Sequence, residues 1–535
     1  MADTVKAEAQ ARSPWVLLAT ILGSSMAFID GSVVNVALPT IQHDLKATAI
    51  DLQWVVESYA LLLAALILVG GSLGDHYGRK RVFSIGVAIF AATSVWCGLA
   101  PDISQLIEAR AAQGIGGALL VPGSLAIISA SYPAAERGKA IGTWSGFTSV
   151  TTALGPVLGG WLVEHVSWRW AFFINIPLAV AVLVITTLRV PESRDEQAQA
   201  LDIPGAVLAT AGLGGVVYGL IESGNLGLGH PLVLGMIGGG LLLLVGFVVV
   251  EALSPHPMMP LTLFRSRTFS GANLLTLLLY AALGGALYYL PFNLQQVQGY
   301  SPTEAGFAFL PFTILLFTLS RWAGGLINRY GAKLPLVIGP TIAAVGFALF
   351  AIPGVGGGYW LSVLPATLVL GFGMAVTVAP LTTAVMGAVS STRSGIASGI
   401  NNAVSRMAGL LAIAIIGIFV LSTFGGSLDT RLAGLGLSPE VVRQIDAQKV
   451  RLAALEVPAG LDATQAAALK QAVKQSFVDS FRLAMLIGAG LALASALAAW
   501  LLIDGKSAKR KAEEGEGVQL KEQPATALAP LVREG

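Results

Sequence analysis

One cysteine, Cys97, and five histidines are all that 535 residues provide of two metal-binding residue types. A lone thiol excludes an intramolecular disulfide and cannot by itself build a cysteine-based metal site. The histidines, at 43, 76, 165, 230 and 256, are scattered near loops without a His-Glu-x-x-His pair. A polytopic enzyme, which would want a convergent His, Cys or carboxylate cluster, therefore finds no support. No Gly-x-x-x-x-Gly-Lys-[Ser/Thr] loop is present, so ATP is not the direct power source. Charge is scarce too: 12% of residues are charged, against about a quarter in ordinary globular domains. A net charge of +2 gives no footing for nucleic acid. What remains is 55% hydrophobic residues, a mean hydropathy of +0.74 and 63 glycines, which fit close helix packing in lipid. This is the composition of a polytopic membrane protein.

A helix needs about 20 mostly apolar residues to cross the hydrocarbon. The sequence offers fourteen such runs, near 15–40, 52–74, 82–100, 104–131, 140–163, 169–190, 203–222, 231–252, 268–296, 303–327, 334–353, 360–387, 395–423 and 479–503. They are continuous rather than alternating at period two, which excludes barrel strands. Orientation follows from the short loops. With the N-terminus inside, the inner segments hold Lys6, Arg12, Arg79, Lys80, Arg81, Arg137, Lys139, Arg189, Arg194, Arg265, Arg267, Arg329, Lys333, Arg393, Lys506, Lys509, Arg510 and Lys511. The short outer loops hold only Lys46 and Arg169. Both termini are expected in the cytoplasm of a cell with the protein in its plasma or inner membrane.

Two stretches read as non-membrane. Residues 424–478 form a long outer loop with two surface helices, one opening at Ser438-Pro439 and one at the Asp462-x-x-Gln465 pattern of a capping box. Residues 504–535 mix Glu, Lys, Gly and Pro, the composition of a disordered cytoplasmic tail.

Between spans two and three lies "GSLGDHYGRKRVFSIG" (71–86), and between spans ten and eleven "GGLINRYGAKLPLVIG" (324–339). Gly71, Leu73, Tyr77, Gly78, Lys80, Ile85 and Gly86 match Gly324, Leu326, Tyr330, Gly331, Lys333, Ile338 and Gly339. Downstream, Gly114 and Gly116 correspond to Gly371 and Gly373. The chain therefore divides into a terminal segment 1–14, a six-helix bundle over 15–190, two inserted helices over 203–252, and a second six-helix bundle over 268–503. Internal duplication of this kind is typical of secondary transporters, with the site between the halves at mid-membrane.

The hinge at 71–86 resembles the Gly-x-Leu-x-Asp-x-x-Gly-Arg-Lys motif of the major facilitator superfamily. "RAAQGIGGALLVPG" (110–123) is similar to its fourth-helix Arg motif, and "LGPVLGGWL" (154–162) to the fifth-helix Gly-Pro motif of its antiporters. "IDGSVVNVALP" (29–39) resembles the first-helix motif of the fourteen-helix drug:proton antiporter branch. The resemblance implies an all-helical major facilitator fold: two six-helix bundles plus two extra spans. It further implies a conformational latch at Gly71, Asp75, Gly78, Arg79 and Arg81 that holds the outward-open state. In the second copy Asn328 and Ala332 stand where Asp75 and Arg79 are, so that latch is weaker. At Gly155, Pro156, Gly159 and Gly160 the small residues allow close packing and the proline removes a helix hydrogen bond; the resemblance adds prevention of leak.

Ionisable residues inside lipid-length spans are functional candidates by default. Asp30, Glu57 and Arg110 all fall in the outer half at comparable depth, where they either pair or exchange one proton. Asp30 reads as the coupling acid, because an unpaired carboxylate loses hydration there while a nearby Arg favours its charged form. Glu57 lies near the outer edge and reads equally as an interfacial carboxylate in contact with water. Arg110 either ties span four to span one or takes part in coupling. Tyr59, Asn273, Tyr280, Asn293, Gln296 and Asn401 are candidates for a substrate cavity, with Arg406 beside Asn401 on the same wall. These readings converge on a proton-coupled exporter of hydrophobic or amphiphilic small molecules such as drugs. It would use the proton gradient and no cofactor, and would work as a monomer in the bilayer. Export of one endogenous metabolite, lipid or siderophore is the alternative.

Overall fold

An apolar run in lipid satisfies its backbone only by closing its own hydrogen-bond ladder. The computed structural model describes residues 14–195, 202–255, 257–390 and 393–505, and ladders of this kind make up most of it. Lys6, Arg12, His256, Lys506, Lys509, Arg510 and Lys511, with nearly all of the expected tail, lie outside the described residues. Fourteen helices are long and apolar enough to span a membrane, and no strand occurs among the described residues. The first half comprises Pro14–Asp44, Ala49–Tyr77, Arg79–Leu99, Ile103–Ser131, Ala134–His165 and a sixth span, Trp170–Arg189. The inserted pair is Ile203–Leu226 and Pro231–Leu253. The second half comprises Arg267–Val297, Pro302–Ile327, Lys333–Phe350, Tyr359–Gly387, Ser394–Leu432 and Ala463–Leu502. The basic face is the end bearing the loops around Arg79, Arg137, Arg267 and Lys333; the far face is its opposite.

Local chemistry sets the helix ends. Thr48 and Asp51 form a reciprocal capping box at the start of span two, as Ser301 and Glu304 do at span ten. Gly78 and Gly331 end spans two and ten with φ of 107° and 76°, a region that favours glycine. The duplicated hinge thus performs the same backbone turn twice. The repeat extends into packing. A Cβ on Gly116 would lie 2.7 Å from the Phe90 backbone nitrogen and 3.0 Å from the Gly86 oxygen. One on Gly373 would lie 2.5 Å from the Ala343 nitrogen and 2.7 Å from the Gly339 oxygen. Since Gly86 and Gly116 align with Gly339 and Gly373, the same glycine pair joins spans three and four in one half and eleven and twelve in the other.

The inserted helices stand outside this arrangement. Span seven packs on spans two and thirteen, and Trp54 Nε1 donates to Glu222 Oε1 at 2.9 Å. Span eight leans on span seven and is hardly buried.

The outer loop is shorter than the sequence suggests. Span thirteen continues to Leu432 and span fourteen begins at Ala463, so the connection is 433–462 rather than 424–478. Ser438 caps a surface helix at Pro439–Asp446. The Asp462–Gln465 capping box also forms, but it starts span fourteen itself rather than a separate surface helix. A polar helix extending beyond the hydrocarbon carries no hydropathy signal that separates it from a loop helix. Lys449 ties this cap to the end of span thirteen through Asp429 and Asp446. Partial burial alone would lower its ammonium's proton affinity; the two carboxylates turn the balance upward.

The glycine seam gives a direct test. Gly116→Leu is expected to lose about 1–3 kcal/mol through overpacking, read as a lower thermal midpoint of the purified protein. Gly238→Leu, on span eight with no atom within 4 Å of its Cβ position, should leave the midpoint unchanged.

Candidate functional site

Asp30, Arg110 and Glu57 lie in the first half, and the structure separates them into two settings. Asp30 and Arg110 are 0% and 1% exposed and form a salt bridge of 2.5 Å. Gln113 Nε2 donates to the other Asp30 oxygen at 2.9 Å, and Asn175 Nδ2 donates to it at 3.2 Å. Arg110 Nε donates to the Val55 carbonyl at 3.1 Å, and its Nη1 also donates to Gln113 Oε1 at 2.7 Å. Ser94 Oγ accepts from both Gln113 and Asn175. The Arg110 guanidinium lies 4.1 Å from the centre of the Tyr59 ring, within cation–π range. Asp30 is therefore not an unpaired acid. It is the hub of a network joining spans one, two, three, four and six. Gln113 is signalled in sequence only by its place one turn after Arg110; Ser94 and Asn175 carry no local signal.

Glu57 corrects the sequence expectation differently. It is 0% exposed and touches no water-facing edge. Neither carboxylate oxygen has a hydrogen-bond partner. It faces the other half and lies close enough to Tyr288 and Tyr289 of span nine to interact electrostatically. Its cover comes from Tyr288 and Tyr289, 231 and 232 positions further along the chain.

Around it the far face is closed. Gln53 Nε2 donates to Tyr289 Oη at 3.1 Å, Gln295 Nε2 to the Val36 carbonyl at 2.9 Å, and Gln296 Nε2 to Gln42 Oε1 at 2.8 Å. Gln42 in turn donates to the Arg451 carbonyl of the cap at 3.1 Å. The Gly-Pro motif takes part. A Cβ on Gly160 would lie 2.3 Å from the Pro302 oxygen, and one on Gly306 would lie 2.2 Å from the Pro156 oxygen. Gly155 and Gly159 abut Ser32 and Val33 of span one, so span five is clamped between span one and span ten.

Below this seam a cavity of about 1250 Å³ runs between the halves toward the basic face. Its wall includes Asn35 and Val56 near the closed end, Pro156 and Tyr288 at its sides, and Gly142, Ser320 and Arg321 toward the basic face. No residue of the inserted helices is among its lining residues. A recess of about 270 Å³ continues from it and shares Ser32, Asn35 and Thr152; its wall also includes Ala27, Phe28, Gly31, Tyr59, Leu63 and Arg406.

Of the expected cavity residues, Tyr59 and Arg406 line this space, both in the recess. Asn401 Nδ2 instead donates to Asn273 Oδ1 at 3.2 Å and Thr276 Oγ1 at 2.7 Å, a polar rung between spans nine and thirteen. Asn293 accepts from Gln298 at 3.4 Å; Gln296 belongs to the far-face seam, and Tyr280 packs among the apolar residues of the second half. In each case the side chain's face on its helix, which polarity alone does not reveal, decides the outcome. Arg321 was missed, although a charge within span ten is the same signal that marked Arg110.

The hinge residues sit at the basic face. Asp75 and Arg79 pair at 2.7 Å within one helix turn's spacing. The Arg79 amide donates to the Ser193 carbonyl and the Asp195 amide to the Asp75 carbonyl, so the chain after span six lies along the hinge. A Cβ on Gly71 would make only an ordinary contact with Pro122, at 3.6 Å, and Arg81 is exposed and has no hydrogen-bond or ion-pair partner among the described residues.

Two helical bundles with a central cavity, closed at one face and lined from both halves, define a multi-pass membrane transporter of small molecules. The chain belongs to the major facilitator superfamily: the profile described as "Major Facilitator Superfamily" matches residues 20–413. The tetracenomycin C resistance and export protein of Streptomyces glaucescens is 32% identical over 505 residues, covering 94% of each chain. The multidrug resistance protein Stp of Mycobacterium tuberculosis is 36% identical over 417 residues, 78% of this chain and 77% of its own. The cephamycin export protein CmcT of Amycolatopsis lactamdurans is 34% identical over 396 residues, 73% of this chain and 82% of its own. All three relatives are named for drug resistance or export. Among solved structures, a bacterial homologue of the human lysosomal transporter Spinster shares the fold at a TM-score of 0.66 and 18% identity, covering 91% of this chain and 96% of its own. The xylose transporter XylE of E. coli does so at 0.56 and 15%, covering 94% and 99%. A transporter of this family is not an enzyme.

Removing one member of the buried pair is expected to be severe. Arg110→Ala leaves Asp30 uncompensated and should cost about 3–5 kcal/mol, seen as a lowered thermal midpoint or lost monodisperse yield. The double variant Asp30→Asn with Arg110→Gln should recover much of that loss.

Proposed function

We propose that the protein is a proton-coupled antiporter of the plasma membrane that exports hydrophobic or amphiphilic compounds, antibiotics among them. Its relatives' names as resistance and export proteins support the direction and the class of cargo. The excess of Lys and Arg in the loops of one face supports a cytoplasmic basic face, with both termini inside. The cavity extends toward that face, so this is the state that receives cargo from the cytoplasm or the inner leaflet.

The observation that carries the coupling is Glu57. An ionised carboxylate buried with no donor is costly, and nothing in the closed far face compensates a charge there. Parting of spans two and nine at the far face would wet the group and let it exchange a proton with the outside. When the far face closes again, the neighbouring Tyr288, which lines the cavity, offers the way to the inner side. Glu57 is thus the first proton carrier, and Asp30, which already receives three donors, acts through Arg110 as its positioning partner or second site. Neither the cycle nor its barrier to leak calls for a second copy of the chain, in keeping with a functional monomer. The Asp75–Arg79 hinge is the latch of the opposite state, free here to pair within itself.

Purified protein in proteoliposomes with an imposed pH gradient tests this. Glu57→Gln should lose gradient-driven accumulation of cargo while retaining cargo exchange at equal pH. Concentrative, proton-moving transport by Glu57→Gln at wild-type rate would return the role to Asp30, whose Asn variant is measured alongside.

A further inference from the structure

The charge inventory of the cavity is one-sided. Among the described residues lining the cavity and its recess there is no Asp or Glu, and the formal charges are Arg321 and Arg406. Arg321 is exposed toward the cavity nine residues before Tyr330, where the helix of span ten ends, about 14 Å from the basic face at 1.5 Å per residue. Arg406 is half-buried twelve residues into span thirteen, about 18 Å deep. Among the described residues neither arginine has a hydrogen-bond or ion-pair partner.

The Arg406 guanidinium supplies the free donors of the recess, and no carboxylate lines it. Tyr59 is 6% exposed, lines the recess, and its hydroxyl has no hydrogen-bond partner. Ser32, Asn35 and Thr152 spend their own donors on helix carbonyls four residues back. The carboxylates nearest in sequence are withdrawn: Asp30 is sealed by Arg110, Gln113 and Asn175, and Glu57 lies in the seam. A guanidinium within a membrane span is expensive unless something pairs with it. Its geometry suits a carboxylate, phenolate or sulfonate.

From this we infer that the cargo is an anionic amphiphile whose acidic group is taken by Arg406 in the recess, after attraction by Arg321 at the mouth. Its apolar body occupies the wall formed by Leu283, Leu287, Phe309, Phe312 and Leu316. Cationic amphiphiles meet two like charges and no counter-ion. This inference rests on the export reading and specifies its substrate class.

The test uses one scaffold in three charge states: pyrenebutyrate, its neutral methyl ester, and pyrenebutylamine, an ammonium at neutral pH. Binding is measured by pyrene fluorescence in phosphatidylcholine nanodiscs, and accumulation in proteoliposomes with a pH gradient. Pyrenebutyrate should bind about tenfold or more tightly than the amine, as expected for one charge-assisted pair. Arg406→Gln should abolish that preference without changing ester affinity, and Arg406→Lys should restore part of it. Arg321→Gln, nearer the mouth, should slow anion association while sparing the ester; it keeps the test alive where an Arg406 variant fails to fold. Equal or tighter binding of the amine, no binding of any probe, or equal losses for anion and ester in Arg406→Gln would each overturn the inference. Displacement of pyrenebutyrate by added phosphatidylglycerol, with no anion transport, would assign the site to a lipid headgroup and overturn it too. Accumulation distinguishes the two levels. Selective anion binding without gradient-driven accumulation of any probe sinks the export reading and keeps the charge selection. Preferred accumulation of the amine keeps export and removes the selection.

Discussion

Hydrocarbon offers no hydrogen-bond partner, and the first bundle is organised around the consequence. Asp30 and Arg110 can exist at mid-membrane only because each is supplied from within: two amides and a guanidinium for the carboxylate, a backbone carbonyl, an amide oxygen and an aromatic face for the guanidinium. The supply comes from five helices, so the pair fixes their mutual rotation as well as its own geometry. A buried ion pair adds little net stability over apolar packing; what it contributes here is register. Span five, which takes no part, is held by its glycine contacts and by the Trp144 Nε1 hydrogen bond to Ser24 Oγ at 3.1 Å, and it borders the cavity.

The seam between the halves is built on opposite terms. At the far face it comprises amide hydrogen bonds, a bond from the Thr303 amide to the Glu164 carboxylate at 3.0 Å and backbone contacts at Gly160 and Gly306, none of them an ion pair. The neutral bonds are individually modest, about 1 kcal/mol net, and the one to Glu164 is worth about 1.5–3 kcal/mol. A seam that must open and close repeatedly cannot contain a contact costing several kcal/mol to break. The cap over 433–462 adds one more link of the same kind, Gln42 to Arg451.

The sequence discloses this architecture unevenly, for physical reasons. Helix number, the inserted pair and the duplicated hinge were legible because hydropathy and glycine positions are local properties; Gly78 and Gly331 need their backbone angles wherever the helices end up. Charges inside apolar runs were legible too, which brought Asp30, Glu57 and Arg110 to attention. Partnership was not. Asp30 looked solitary because Gln113 and Asn175 resemble any other amide in sequence, and Glu57 looked interfacial because Tyr288 and Tyr289 cover it from the other half. Asn273 and Asn401 looked like cavity residues for the same reason: polarity in a span signals a partner, and a neighbouring helix serves as well as a substrate. The end of span thirteen and the start of span fourteen were misread because a helix leaving the hydrocarbon becomes polar without ending.

Glu57 and Arg406, both without a hydrogen-bond partner among the described residues, belong to different halves and face in opposite senses. Glu57, on the first half, is covered by the second at the closed face; Arg406, on the second, borders a recess in the first on the open side. One rocking motion between the bundles would therefore uncover the acid as it covers the cation. Exchange then needs no signal passing between distant sites, because the same seam governs both. The sign of the cargo adds an energetic consequence. With one proton entering per molecule leaving, export of a monocation moves no net charge, whereas export of a monoanion carries two charges in the direction that an inside-negative potential favours. At about 2.3 kcal/mol per charge per 100 mV, an anionic cargo would draw about 4.6 kcal/mol from each 100 mV of potential. A cavity without acidic side chains is the arrangement through which that drive becomes accessible.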